Sequence, residues 1–283
     1  AVMAPELLIR SGSIAQQKHW LPQIASGKAR IALAIPASLA GHLPLFAKQS
    51  NPLRVIGGQL SGESSFVIDG QGADAFLVLA PTEGGEHGLW LVSANTPGVS
   101  CHHVALIDSR NMARVVFEQV AVTQEMALAS MPATQAVEEV LDRARACLAA
   151  EALGLLREVF ERTVAYLKER IQFDVAIGSF QALQHRAARL YVELELLESS
   201  VLAALEAIDS GDASHVAEHV SLAKAKASDL CERLCNEAVQ MHGGIGVTDE
   251  LDIGLFLKRA RVIQRLLGDA SFHRARFAHL KGF

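Results

Sequence analysis

Glu237-Ala-Val-Gln-Met-His-Gly-Gly-Ile-Gly-Val-Thr-Asp-Glu250 reads as the last turns of a long helix, a stop at a double glycine, and a turn into a new helix. Gly243 and Gly244 tolerate positive φ and let another molecule approach the main chain closely. Gln240 stands one turn earlier, where its amide reaches the same visitor. A double glycine is also the ordinary way to end a helix, so the run has two readings: a plain helix stop, or a grip on a ligand by main-chain groups. A second stretch upstream supports the grip: Arg170-Ile-Gln-Phe-Asp-Val-Ala-Ile-Gly-Ser-Phe-Gln-Ala-Leu-Gln-His185.

Around these two stretches the sequence is helical. From about residue 133 apolar residues recur at three- and four-residue steps: Val137, Val140, Leu141, Ala144, Leu148, Leu155, Val159, Val164 and Leu167. Helices are expected over 134–170, 181–210 (ended by Gly211), 215–241, 251–267 and 270–280. Four or five helices in succession with short links predict a four-helix bundle. Upstream the period changes. Short β-rich runs at 31–35, 53–60, 65–68, 75–79, 89–92, 98–102 and 115–120 are separated by Gly, Pro, Asn and Asp. That spacing predicts an antiparallel β-barrel or sandwich. Residues before about 28 read as helix with breaks, Pro22 and Gly27 stopping the second piece. The fold class is α+β, with boundaries at 1–29, 30–123 and 124–283.

Bulk properties narrow the function. The chain has 283 residues, half of them hydrophobic and a fifth charged, which is room for about two domains and a sizeable core. The net charge of −5, without an arginine-rich segment, argues against a nucleic-acid surface. No apolar run is long enough to span a bilayer, and no basic segment leads into an apolar one at the N-terminus. Cys231 and Cys235 share a helix face, but no histidine pair completes a zinc set, so no metal site is expected. The four cysteines are read as reduced thiols in a cytoplasmic protein, mostly in the core.

Four ordered motifs carry a family likeness. Arg170-Ile-Gln-Phe173, Ile177-Gly-Ser-Phe-Gln-Ala-Leu-Gln-His185, Gln240-Met-His-Gly-Gly-Ile-Gly246 and Leu267-Gly-Asp-Ala-Ser-Phe-His-Arg-Ala-Arg276 resemble the acyl-CoA dehydrogenase family in order and spacing. Gln17-Lys-His-Trp-Leu-Pro-Gln-Ile-Ala-Ser-Gly27 is similar to the segment entering that family's β domain. The likeness covers essentially the whole chain. Most of the family's N-terminal helical domain, about a hundred residues at ordinary domain sizes, has no counterpart here, and 1–29 reads as its remnant. The chain opens on Ala1 rather than methionine and is expected to be a processed or truncated product. The resemblance implies FAD as cofactor, an acyl-CoA thioester as substrate and α,β-dehydrogenation. It implies an electron-transfer flavoprotein as electron acceptor and assembly into dimers or tetramers.

The likeness assigns roles by position. Arg170 matches the arginine that binds the FAD pyrophosphate of a neighbouring subunit, a charge-assisted pairing well suited to guanidinium. Its structural alternative is a cation facing the helix dipole. Phe173 matches an aromatic contact to the same cofactor. Gln240, Gly243 and Gly244 match contacts to its other end. Gln181 and Gln184 are either surface amides or part of this set. His185 and His242 read as structural hydrogen-bonders.

Several positions depart from the family pattern. Where the family has a Thr-Glu-Pro-like turn against the flavin, this chain has Ala34-Ile-Pro-Ala37, and Leu39-Ala-Gly-His-Leu-Pro-Leu45 replaces the Gly/Ser-rich segment that follows. A Trp-Ile-Thr contact becomes Phe66-Val-Ile68, which removes a hydroxyl. Flavin heteroatoms left without donors lose roughly 1–3 kcal/mol each. The usual catalytic base position holds Leu267, and an alternative position on the first bundle helix aligns with Ala144. Glu151, two turns further along the same face in an apolar stretch, is the candidate base, with burial expected to raise its pKa. Its plainer role is an interhelix hydrogen bond, and Asp269 reads as an N-cap. Two functions follow: an FAD-dependent acyl-CoA dehydrogenase, or a non-catalytic, FAD-sharing subunit of a heteromeric one. A scaffold binding neither FAD nor CoA is the third reading.

Overall fold

The computed structural model describes residues 2–36, 39, 51–211 and 213–283. The chain divides into two compact units, Ala1–Ala144 and Arg145–Phe283.

The first unit opens with α1 (Met3–Ser11) and α2 (Ile14–Ala25). Pro22 does not stop α2, because the helix runs on to Ala25 before Gly27 turns at φ 72°. Among the described residues seven strands follow: β1 (Ile31–Ala34), β2 (Arg54–Ile56), β3 (Gln59–Ile68), β4 (Ala75–Pro81), β5 (His87–Ser93), β6 (Val99–His103) and β7 (Met112–Ala121). They form two separate sheets, ordered β1-β4-β5 and β2-β3-β7-β6. The arrangement is therefore a sandwich and not a closed barrel. It is also not wholly antiparallel, since β1 and β4 run parallel, with Ile31 opposite Ala75. The antiparallel expectation rests on hairpins between consecutive strands. Here the chain leaves the first sheet after β1, builds β2 and β3 in the second, and returns, so that rule does not govern β1 and β4.

Alternating burial along β3 and β7 marks one wet and one packed face. β4 is buried on both faces between β1 and β5. Leu60, Val67, Phe76, Val78, Trp90, Val115 and Phe117 meet in the core of the unit. Phe76 and Phe117 make its aromatic centre, edge to face at 6.2 Å.

Helices then dominate. α3 (Ala133–Glu169) begins in the first unit and continues into the second, which also holds α4 (Gln181–Ser210), α5 (Ala213–His242), α6 (Ile253–Arg265) and α7 (Ala270–Leu280). Between α3 and α4 lies a small hairpin, β8 (Ile171–Gln172) and β9 (Val175–Ala176). α5 packs against α4, α6 and α7. Its buried stripe runs through Val220, Ala223, Ala227, Leu230, Leu234, Ala238 and Met241, against Leu190, Leu194, Leu197 and Val201 of α4. That is the three-and-four spacing of an amphipathic helix. Among the described residues no helix is long and apolar enough to cross a membrane.

Replacing Phe117 by alanine removes half of the aromatic pair from a core position that is 1% exposed. The expected loss is about 3–5 kcal/mol, the usual range for Phe→Ala in a core. Urea unfolding followed by tryptophan fluorescence checks it, because Trp90 belongs to the same cluster.

Candidate functional site

The expected cofactor residues all lie in the second unit, at helix ends. α3 closes at Glu169, and the Arg170 amide still donates to the Tyr166 carbonyl at 2.9 Å. The Arg170 carbonyl accepts from the Ile177 amide at 2.9 Å, which closes the β8–β9 hairpin. The two turn residues, Phe173 and Asp174, have φ 55° and 62°. A two-residue loop with both φ positive is the type I′ turn, normally filled by Asn-Gly. A bulky residue is an outlier there, and such strain collects at functional sites. Phe173 is 86% exposed, and its ring is edge to face with that of Phe180 at 6.1 Å. The Arg170 side chain is exposed and has no ion-pair or hydrogen-bond partner among the described residues.

The double glycine lies at the end of α5. Gly243 sits at φ 69° and starts a 3-10 turn, Gly243–Val247. A Cβ placed on Gly243 or Gly244 would meet nothing within 4 Å, so the main chain here is open to an approaching molecule. Gln240 is exposed, and its amide has no partner among the described residues. His242, by contrast, is buried. Its Nδ1–H donates to the Ala238 carbonyl at 2.8 Å, and its ring stacks on Tyr166 at 4.4 Å. The Tyr166 hydroxyl donates to the His242 carbonyl at 3.2 Å. His185 and Gln181 are exposed, while the Gln184 amide donates to the Gly178 carbonyl at 2.9 Å.

Glu151 differs from expectation. It is not buried in an apolar pocket: its side chain is 39% exposed, and both oxygens are held by Arg259, at 2.8 and 2.9 Å. The neighbouring alanines face inward, and Glu151 emerges on the other side of α3. Counting apolar neighbours in sequence could not separate the two faces of the helix. Asp269 caps α7, accepting from the Phe272 amide at 3.0 Å, and pairs with Arg265.

Leu267 and Gly268, at the usual base position, link α6 to α7 with φ 56° and 105°. Leu267 is buried, and its carbonyl accepts from Arg145 Nε at 3.1 Å and from His273 Nε2 at 3.0 Å. Lys224, fully buried on α5, donates to Ser228 Oγ, the Ile263 carbonyl and the Gly268 carbonyl at 3.0, 3.0 and 2.8 Å. Three N–H groups thus meet three acceptors, which is what a buried ammonium needs. Burial pushes the Lys224 amine down to about 8. The sequence reading missed this cluster. Its signal was Lys224 and Ser228, four residues apart on the otherwise apolar face of α5. Burial also pushes the Cys231 and Cys235 thiols up to about 12, so both are inert core residues, whereas Cys147 is exposed.

In the first unit Ile35 is buried, with its carbonyl accepting from Ser64 Oγ at 2.9 Å, and Ile68 pairs with Met112 across β3 and β7. Ala37 and most of 39–45 lie outside the described residues.

An exposed guanidinium, an exposed ring, a side-chain amide and open glycine main chain thus lie at helix ends of the second unit. The C-terminal domain of acyl-CoA dehydrogenases matches residues 134–279, just over half of the chain. This chain belongs to the acyl-CoA dehydrogenase family, whose members are FAD-dependent oxidoreductases. Acyl-CoA dehydrogenase IpdE2 of Mycolicibacterium smegmatis is 42% identical over 127 residues, covering 45% of this chain and 39% of that protein. Acyl-CoA dehydrogenase FadE12 of Mycobacterium tuberculosis is 28% identical over 268 residues, covering 90% of this chain and 68% of that protein. The solved ChsE4-ChsE5 complex from Mycobacterium tuberculosis has a TM-score of 0.88 at 26% identity, over 99% of this chain and 74% of that one.

The buried imidazole gives a pH test. Burial, helped by the nearby Arg145 and Lys224 charges, pushes His273 from the ordinary 6.5 down to about 2. Folded, it stays neutral; unfolded, it takes up a proton below about 6.5. The unfolded chain is therefore favoured as pH falls, and stability drops by up to about 1.4 kcal/mol per pH unit from this group. Urea unfolding between pH 7 and 5, read by helical circular dichroism, should show a steeper loss for the native chain than for His273→Gln.

Proposed function

We propose that this chain acts in the α,β-dehydrogenation of an acyl-CoA thioester with FAD as hydride acceptor. The observation that carries the reading is Arg170, unpartnered among the described residues, at the base of a hairpin whose strained tip holds Phe173, matched by open glycine main chain at Gly243-Gly244. FAD, when bound, supplies the two-electron acceptor for the β hydrogen. Arg170 would hold its pyrophosphate, and Phe173 would offer its exposed ring to the cofactor. Gln240 and the Gly243-Gly244 main chain hold the other end. Glu151 is the proposed acceptor of the α proton, which requires its bidentate contact with Arg259 to open. Arg259 thereby sets how readily Glu151 is available. An electron-transfer flavoprotein would be the electron acceptor. On this reading 1–29 belongs to an N-terminal helical domain, 30–123 is the β domain and 124–283 the bundle of a cytoplasmic, oligomeric protein.

Leu267 and the occupied oxygens of Glu151 favour a second reading: a non-catalytic, FAD-sharing subunit. The ChsE4-ChsE5 and Tcur3481-Tcur3483 structures are similar chains solved with a second, differently named component. In that case Arg170 completes the partner's FAD site.

The test is reconstitution of the full-length protein with FAD, alone and co-expressed with a neighbouring dehydrogenase subunit. A yellow protein that reduces an acceptor dye with an acyl-CoA by itself supports the first reading. Flavin binding and turnover only with the partner supports the second. Protein that stays colourless in both settings removes both. Glu151→Gln decides the base: as the general base its loss should slow dye reduction by about 10²–10⁴-fold, and a packing glutamate leaves turnover nearly unchanged. Arg170→Ala should weaken FAD binding roughly 10–100-fold, the worth of a hydrogen bond to a charged group, measured by flavin fluorescence titration.

A further inference from the structure

Two parts of the proposed cofactor grip lie far apart in sequence, Arg170 and Phe173 after α3 and Gln240 to Gly244 at the end of α5. A shared cofactor needs them at a fixed separation. Tyr166 touches both. Its carbonyl takes the Arg170 amide at 2.9 Å, and its hydroxyl gives a hydrogen bond to the carbonyl of His242, the residue immediately before Gly243, at 3.2 Å. Its ring stacks on the His242 imidazole at 4.4 Å, and that imidazole is tied to α5 through the Ala238 carbonyl. The turn that follows the hairpin, Ile177–Ser179, is seated on α3 as well. A Cβ at Gly178 would stand 2.8 Å from the Leu167 carbonyl, so the main chains there are in close contact. Tyr166 therefore sits on the turn of α3 that carries the hairpin, and it holds the end of α5.

We infer that Tyr166, through its stack and hydrogen bond on His242, is a positioning residue that sets the distance between the Arg170 hairpin and the Gly243-Gly244 turn. The inference rests on the FAD reading above. Tyr166 and His242 need no contact with the cofactor themselves. The hydroxyl bond stabilises one relative placement of the two helix ends, and the buried stack removes rotation about it. The cofactor then meets a grip already in place and loses less on ordering it.

Full-length protein, with its partner subunit where one co-purifies, is freed of flavin and titrated with FAD. Binding is read from flavin fluorescence and the FAD-free protein's melting is recorded beside it. Tyr166→Phe keeps the ring and removes the bond; it should weaken FAD about fivefold, the usual worth of one neutral hydrogen bond. Melting without FAD should hardly move. Combined with Arg170→Ala, the same change should add at most about twofold, because the group it places is gone and contacting residues couple. His242→Leu removes the stack, leaves the main-chain carbonyl, and should show the same loss of coupling; it serves if Tyr166→Phe misfolds. Equal losses with and without Arg170 overturn the inference, as does unchanged FAD affinity in Tyr166→Phe where Arg170→Ala lowers it. If Arg170→Ala itself leaves FAD affinity unchanged, the FAD reading fails and the positioning role falls with it.

Discussion

Burial of α5 on several sides at once is the constraint on which the helical unit depends. Its apolar stripe is covered by α4, α6 and α7. A helix held that way cannot rotate without exposing Leu230, Leu234 or Met241, at about 1.5–3 kcal/mol for each large side chain returned to water. Everything attached to it inherits a fixed position. The turn at Gly243 is placed by its last residue, and the loop at Leu267-Gly268 is placed from its middle by Lys224.

The interior of that unit shows how a buried charge is tolerated. Lys224 spends its three protons on the Ser228 hydroxyl of its own helix, the Ile263 carbonyl near the end of α6 and the Gly268 carbonyl in the loop beyond it. Helix C-terminal carbonyls carry partial negative charge and lack partners of their own, so a cation among them satisfies both sides. The Leu267 carbonyl accepts from the Arg145 guanidinium and from the neutral His273 ring. The loop where the family usually carries its base is thus rigidly built even though leucine occupies that position. The framework of an active site and the side chain that does chemistry there have separated. That separation is why an enzyme and an FAD-sharing subunit both remain consistent with one bundle. The residues proposed to face the cofactor show the opposite pattern: Arg170, Phe173 and Gln240 are exposed, and the cost of a phenylalanine at positive φ is kept at the hairpin tip. A chain selected for stability alone gains nothing from that choice.

Much of this was legible in the amino-acid order. The three-and-four spacing of leucine, valine and alanine marked α3 to α7 to within a few residues, because a helix must put its buried side chains on one stripe. Alternation and turn residues marked most of the strands, but the run at 53–60 proved to cross the β2–β3 turn and that at 65–68 to be the end of β3. Gly211 as a helix stop and Asp269 as a cap are local chemistry, and local chemistry is written locally. The four ordered motifs identified the family, since they constrain residues that the fold alone leaves free. Three things were decided only by the tertiary structure. Whether the strands closed a barrel depended on which sheet each entered after a long connection, and β1 met β4 in parallel because of it. Whether Glu151 was buried depended on which face of α3 was covered, and the answer was the face of the alanines. That Lys224 would reach the Gly268 carbonyl, and Tyr166 the carbonyl of His242, depended on bringing together residues 44 and 76 apart along the chain. Periodicity along a chain reports which face of an element is apolar; only packing decides what that face meets.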